Sequence, residues 1–496
     1  MSDPEGGASR LIVRNAAVRT AGEIGAKLAS VVFFVAIARE LGERAFGDFI
    51  FALSFTTVLL VAAGFGTEEL VAREVARDRG RIHGLLSNVV AMKVAMSVLL
   101  LLVAAAVVTV AGYPEDVRVA VYLVGAGVAV ENLARSWHSV FQAYERMEFI
   151  SLGLIAQRFT TAIAGVVVLA LGGTLVAVSA IFLGGSLIGF VTALWALRRY
   201  LVRPRVEVDR SRWWPLAKAG IPIGIVTLLL TTLLKLDQTL ISFLAGGADD
   251  NSEVGYYGAA FRLVEATLFI GWSFSDAMLP WLARERDGPD LARGYELGLK
   301  AIGAVLIHIG LGFVLFADPL IDLLYGARYE DAVGPLRLLG ATVVFSGINY
   351  MASITLIARD RPGRFARAVG VVVVANVVLN VILIPPYGAE GAALSATLSG
   401  LALTLMSLWM TAGVAPGLRP LRAFCGPLAG GLGMTAAVLA TDLSLAPGMA
   451  LGALAYCLSL LVFERLVFPE DLAHVRALLR RAARTPPHES PTTTVG

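Results

Sequence analysis

Two cysteines and five histidines in a chain of 496 residues leave little from which to build a disulfide framework or a metal centre. Cys425 and Cys457 both fall inside late apolar runs, and no ligand-spaced set of His, Cys and Asp surrounds them. Charge is also scarce. Only 16% of residues are Asp, Glu, Lys or Arg, where an average soluble domain carries about 25%. No glycine-rich phosphate loop of the Walker type is present, which argues against intrinsic nucleotide hydrolysis. No basic stripe with interleaved aromatics occurs, so a nucleic-acid partner is not expected. Of the 41 basic residues five are lysine, and the resulting arginine bias is read as compositional. Residues 1–7 are polar and lead into no short apolar core with a cleavage site, so a cleaved signal peptide is not expected.

What is abundant is apolar length. The chain is 57% hydrophobic with a mean hydropathy of +0.74. About 20 mostly apolar residues cross about 30 Å of hydrocarbon. Fourteen such runs are predicted: 18–39, 46–66, 84–112, 118–140, 149–171, 174–197, 216–245, 255–283, 296–324, 333–357, 364–385, 389–412, 421–441 and 446–467. Basic residues cluster on alternate sides of them. Arg10, Arg14 and Arg19 precede the first run, Arg73 to Arg81 follow the second, and Arg198 to Arg212 follow the sixth. Further clusters follow runs 8, 10, 12 and 14. The intervening connections are poor in bases, with Arg39, Arg44 and Arg328 as mild exceptions. Short loops rich in Lys and Arg stay cytoplasmic, which predicts a multi-pass protein of a prokaryotic plasma membrane with both termini inside.

A weak repeat divides the chain. Ala45-Phe46-Gly47-Asp48-Phe49 opens run 2, and Glu253-Val254-Gly255-Tyr256-Tyr257 opens run 8. Gly172-Gly173-Thr174 and Tyr387-Gly388-Ala389 separate corresponding later runs at an offset of about 208–215 residues. Both units begin on the same side, so the axis relating them is expected along the membrane normal. The expected organisation is an N-terminal lobe of runs 1–6 (residues 1–205) and a C-terminal lobe of runs 7–12 (206–412). Runs 13 and 14 (413–470) stand outside the repeat, and a partly disordered cytoplasmic tail (471–496) follows. The fold class is all-α and polytopic.

These features together resemble the polysaccharide-biosynthesis (O-antigen type) flippases of the multidrug/oligosaccharidyl-lipid/polysaccharide exporter superfamily. The resemblance covers roughly residues 10–470. It is carried by Ala38-Arg39-Glu40-Leu41-Gly42 with Ala45-Phe46-Gly47, by Leu234-Lys235-Leu236-Asp237, by Val254-Gly255-Tyr256-Tyr257, and by Tyr387-Gly388-Ala389-Glu390-Gly391-Ala392-Ala393. It implies two six-helix lobes around a central cavity with alternating access, and movement of a lipid-linked saccharide to the outer leaflet. Membrane lipids and glycan-assembly proteins are the other partners in view. No cofactor is expected beyond coupling to an H+ or Na+ gradient.

An ionisable group in hydrocarbon costs roughly 2.5–3.5 kcal/mol on insertion scales, so such groups normally face a cavity or a partner. By helical rise, Lys235 lies roughly 20 Å up run 7 and Arg262 about 10 Å below the outer end of run 8, at similar depth. Arg262 and Glu265 share a helix face, whereas Lys235 and Asp237 do not. One reading is a cationic site for phosphate or pyrophosphate in which Asp237 and Glu265 hold the bases in place; the other is two structural ion pairs. Arg19, Glu23 and Lys27 recur along one face of run 1, as a cavity entrance or as a snorkelling helix start. Arg158 lies roughly 13 Å into run 5, which leaves a cavity role and a structural one equally open. Glu131, Arg135 and His138 line one face of run 4, and a structural role is expected for them. Asp276 is a coupling-ion position without a second acid nearby. Asn376 and Asn380 are read as interhelical hydrogen-bonding residues, and His308 as packing. Gly220-Ile221-Pro222-Ile223-Gly224 opens run 7, either as a hinge or simply as a proline at the helix start.

A drug or cation antiporter of the same superfamily should favour acids in its cavity, whereas Arg19, Lys27, Arg158, Lys235 and Arg262 favour an anion. A peptidoglycan lipid-precursor flippase shares that charge logic and stays open. A membrane glycan polymerase or ligase would need a sizeable outer loop, and the outer connections here reach only about ten residues. The topology is directly testable in a background with both native cysteines removed. A cysteine at Asp250 should label with an impermeant thiol reagent from outside intact cells, and one at Arg205 only after permeabilisation. Labelling of Arg205 from outside would overturn the assigned orientation.

Overall fold

Backbone amides in hydrocarbon have no water to bond, so a spanning segment must satisfy them internally as a helix or in a closed barrel. The chain takes the first solution. The structure is a computed structural model that describes residues 4–246, 250–284, 289–413, 419–441 and 443–471; the side chains of 4–24, 246, 280, 284, 289, 290 and 420 are outside that description. Among the described residues there are helices and turns and no strand. The helices are α1 (Pro4–Val61), α2 (Thr67–Arg77), α3 (Ile82–Val110), α4 (Glu115–Ala143), α5 (Glu148–Ala170), α6 (Leu175–Ala196) and α7 (Trp213–Ile241). They continue with α8 (Ser252–Arg284), α9 (Pro289–Leu315), α10 (Ala317–Tyr325), α11 (Val333–Ala358), α12 (Pro362–Ala412), α13 (Pro420–Leu439) and α14 (Leu445–Val467). The chain is a multi-pass, all-helical membrane protein.

The helices do not correspond one to one with the predicted runs. Eleven described helical stretches are long and apolar enough to cross a membrane. Runs 18–39 and 46–66 belong to one helix, α1, which bends at Gly42 (φ 80°, ψ 178°). Runs 364–385 and 389–412 belong to α12, which bends at Gly388 (φ 52°, ψ −128°) just after Pro385-Pro386. In each case a positive φ that glycine adopts without a Cβ clash turns the chain while helix continues on both sides. α8, at 33 residues, falls outside the eleven; Arg262, Glu265 and Asp276 interrupt its apolar run. The basic connection after α1 contains α2, a short amphipathic helix, and run 296–324 is divided between α9 and α10.

Among the contacts that join α1–α6 to α7–α12, two zones stand out. One lies at the Gly42 bend. There Arg39 Nε donates to the carbonyl of Leu324 at 2.7 Å, and its Nη2 donates to the carbonyl of Leu323. These are last-turn carbonyls of α10 that lack a helical partner, which accounts for a basic residue at this otherwise base-poor end. Nearby, Tyr329 Oη donates to the Ala38 carbonyl at 3.1 Å, and Asn251 Nδ2 donates to Asp48 Oδ1 at 2.7 Å. The related glycines Gly47 and Gly255 permit backbone to meet backbone here. A Cβ on Gly47 would lie 1.9 Å from the Asn251 carbonyl oxygen, and one on Gly255 would lie 2.2 Å from that of Glu43. The other zone lies beside the linker 202–212, which is held to α3 by Asn88. The Asn88 side chain donates to the Glu207 carbonyl and accepts from the Asp209 amide. There the Phe65-Gly66 turn abuts α7; a Cβ on Gly220 would come within 2.2 Å of the Phe65 carbonyl oxygen.

α13 packs on α9, and α14 packs on α13. Their register is fixed by buried charge: Lys300 on α9 donates to Glu464 Oε2 at 2.8 Å and to Asp471 Oδ2 at 2.6 Å. Arg293 pairs with the same Asp471, and the Phe468 ring lies against both Lys300 and Arg422.

The glycine seam gives a signed prediction. Helix propensity alone would make Gly→Ala stabilising by about 0.5–1 kcal/mol, whereas overpacking costs about 1–3 kcal/mol. Gly47→Ala and Gly255→Ala should therefore each lower the melting temperature of the purified protein. Gly184→Ala, where no atom lies within 4 Å of the added Cβ, should not. A melting temperature raised by Gly47→Ala would show that the seam is not tightly closed.

Candidate functional site

Charge distribution within the bundle identifies the site. A cavity of about 630 Å³ opens between α1, α4 and α5 on one side and α7, α8 and α10 on the other. Five bases line it: Lys27, Arg135, Arg158, Lys235 and Arg262. Two acids accompany them, Glu131 and Glu265. Four of the five predicted substrate-site bases thus line one cavity. The fifth, Arg19, and the supporting Glu23 lie on α1 but their side chains are outside the described residues.

Helix geometry explains how distant positions meet. Lys235 Nζ donates to Glu265 Oε1 at 2.6 Å, and Arg262 Nη1 donates to Glu265 Oε2 at 2.6 Å from one turn earlier on the same helix. The Arg262 guanidinium stacks on Phe34 of α1, 3.8 Å from the ring centroid, and Lys235 lies 5.1 Å from the centroid of Phe261. Lys27 lies 4.1 Å from the centroid of Phe269. Aromatic faces attract and orient cations in this way without consuming their N–H donors. Arg262 keeps donors in hand: its Nε and Nη2 are buried and make no hydrogen bond within the protein. On the opposite wall Glu131 accepts from Gln157 and lies 3.9 Å from Arg158 Nη2.

Glu131 and Arg135, read from sequence as structural, line this cavity. Their spacing signalled a shared helix face, but spacing cannot say whether that face meets a helix or a void. Asp237 departs from its expected role. It holds neither base. Tyr257 Oη donates to its Oδ2 at 2.9 Å and Asn380 Nδ2 to its Oδ1 at 2.7 Å. Asn380 Nδ2 also donates to Asn376 Oδ1, and Asn376 Nδ2 donates to Ser395 Oγ. The cause is direction: two residues along a helix is about 200° around it, so Asp237 turns from the bases toward α8 and α12. Asp237 makes no ion pair among the described residues, and beside it Asn380 Oδ1 is buried and unpartnered.

This cluster borders a second cavity of about 590 Å³ between α7, α8, α11 and α12. Half of its lining residues are leucine or aromatic; Asp237 and Asp276 contribute carboxylates, and Trp272 is shared with the first cavity. Gly220 and Gly224 are taken up by the close approach of Phe65-Gly66, and α7 continues as one helix through Pro222. His308 packs on Tyr456, with ring centroids 4.9 Å apart. No group of three or more metal-ligating side chains occurs among the described residues.

The chain is similar to several known proteins. Residues 12–285 match the family model described as polysaccharide biosynthesis protein. The chain is 23% identical over 379 residues to the Probable low-salt glycan biosynthesis flippase Agl15 of Haloferax volcanii, covering 76% of this chain and 77% of that protein. It is 28% identical over 170 residues to the Probable flippase AglR of the same organism, covering 33% and 35%. Among solved structures the fold is similar to lipid II flippase MurJ in its inward closed conformation, with a TM-score of 0.78 at 16% identity over 90% of this chain and 99% of that one. An inward-facing multidrug resistance transporter of the MATE family gives a TM-score of 0.64 at 15% identity, covering 79% and 94%.

Proposed function

The chain belongs to the polysaccharide biosynthesis protein family, and from that premise we propose that it is a flippase, a transporter rather than an enzyme, that carries a lipid-linked oligosaccharide from the cytoplasmic to the outer leaflet. The observation that carries the reading is the cavity between the two helix groups, where five bases stand against two acids. A lipid pyrophosphate or phosphate bears its charge at the junction of glycan and lipid. That charge must pass the low-dielectric region, and fixed bases facing a wet cavity offset its desolvation. Agl15 supports the same assignment by its own description as a glycan biosynthesis flippase.

In this reading α1–α6 and α7–α12 are two lobes related by an axis along the membrane normal, and they rock about the cavity. The Gly42 seam is the outer gate and the Phe65-Gly220 contact the inner one. Both termini are cytoplasmic, in a prokaryotic plasma membrane. A peptidoglycan precursor carries the same pyrophosphate, so the cavity chemistry admits it as a substrate. Asp237, whose carboxylate accepts from a phenol and an amide and has no base, is the coupling position: a proton or Na+ would supply the missing positive charge.

Lys235→Ala and Arg262→Ala should each reduce glycan export about ten- to hundredfold at normal protein level, the scale of one charge-assisted hydrogen bond. Arg262→Lys should retain part of the activity if charge matters more than fork geometry. Normal export by both alanine variants would mean that these residues are ion pairs only. Asp237→Asn should remove the dependence of export on the imposed ion gradient; a variant still stimulated by the gradient locates coupling elsewhere. The carboxylates of the second cavity favour one rival, a drug or cation antiporter. That reading takes over if Asp276→Asn abolishes drug efflux while the alanine variants export normally.

A further inference from the structure

We propose that Glu265 is a tethered stand-in for the substrate's phosphate, which occupies the anion site while the cavity is empty and sets how tightly the real anion is held. The inference rests on the flippase reading and assigns a role within that site. A phosphoryl group binds bases through separate oxygens, each accepting from a different donor. Glu265 does the same, with Oε1 on Lys235 and Oε2 on Arg262, both at 2.6 Å.

Three observations separate this role from that of a residue holding the bases in position. Lys235 and Arg262 are already oriented by Phe261 and Phe34, so they keep their places when the carboxylate leaves. The acid is the most exposed of the three: its side chain is 33% exposed, against 14% for Lys235 and 13% for Arg262. It therefore borders the cavity and can swing into it, while the bases stay buried. Finally, Arg262 has donors at Nε and Nη2 that are buried and without a protein partner even with Glu265 bound, so a shift of Glu265 is what would bring them within reach of an anion. As the exposed Glu265 swings aside, an arriving anion can take up its contacts on Lys235 and Arg262 and reach these donors in turn. Exchange by stages avoids the bare buried cation that a single displacement would leave. It also prevents the site from holding its anion too firmly for release, because the carboxylate is always at hand to replace it.

The roles predict opposite signs. Removal of a positioning residue weakens anion binding, whereas removal of a resident competitor strengthens it. The test titrates inorganic pyrophosphate calorimetrically into the purified full-length protein as wild type, Glu265→Gln and Arg262→Ala. Glu265→Gln should bind about tenfold more tightly than wild type, or about 1.4 kcal/mol, and Arg262→Ala more weakly. In an export assay Glu265→Gln should lower the apparent KM and lower kcat with it, since release slows. Unchanged or weaker binding by Glu265→Gln, alongside weaker binding by Arg262→Ala, overturns the stand-in while the anion site remains. Unchanged binding by Arg262→Ala overturns the anion site itself. If Glu265→Gln does not fold, Glu265→Asp takes its place. Its carboxylate is one methylene shorter and gives up one of the two contacts, so it too should bind pyrophosphate more tightly, and unchanged affinity would refute the proposal.

Discussion

A charge held within hydrocarbon needs a counter-charge, a shell of hydrogen-bonding partners or access to water, and the interior of this protein is organised by how each charge meets that need. Lys93 is wholly buried and is satisfied by Glu68 and the Asn132 carbonyl, which ties α3 to α2 and α4. Lys300 is enclosed by Glu464 and Asp471, which tie α14 to α9. Asp237 is met by a phenol and an amide rather than a base. The central cavity differs in kind. Its bases outnumber its acids, and Arg262 retains donors that no protein atom accepts. The first two arrangements are closed accounts of charge that fix helix register; the last is open, and openness is what a passing anion requires.

The position of α13 and α14 follows from the same constraint. They follow α12 in the chain, with α13 packed on α9 and α14 on α13. Their place is set by Lys300, Arg293 and Arg422 meeting Glu464, Glu470 and Asp471 around the Phe468 ring. Loss of Lys300 would leave Glu464, whose one ion pair among the described residues is with it, buried without a counter-charge. The pair is thus bound to α9 by charge as well as by apolar packing.

Most of the helical layout was legible in the sequence because apolar length is dictated by bilayer thickness. The cavity was partly legible for a related reason: Lys27, Arg158, Lys235, Arg262 and Glu265 stand out as charges where charge is costly. Four things were hidden. Gly42 and Gly388 look like loop residues in sequence, and only their dihedral angles reveal bends within continuous helix. Glu131 and Arg135 have the spacing of a helix face, which reads alike whether that face meets protein or a void. Asp237 was grouped with Lys235 by proximity, yet one of its partners, Asn380, is 143 residues away. Periodicity carries no information over that range. Trp272, common to both cavities, had no sequence signal at all.

At its centre the seam beside the Gly42 bend brings main chain against main chain, with Gly47 against Asn251 and Gly255 against Glu43. Interlocked side chains act like meshed teeth: they must change rotamer, or ride over one another, before two helices can part. Smooth backbone faces have no such teeth. At these two glycines the surfaces can separate without a rotamer change, while beside them the Phe46 ring on Tyr329, Ile50 over Gly258 and hydrogen bonds such as Asn251 to Asp48 and Tyr329 to Ala38 hold the joint. A joint of this design is tight when shut and quick to release, so its closure strength and its opening speed are set by different residues and can be tuned apart.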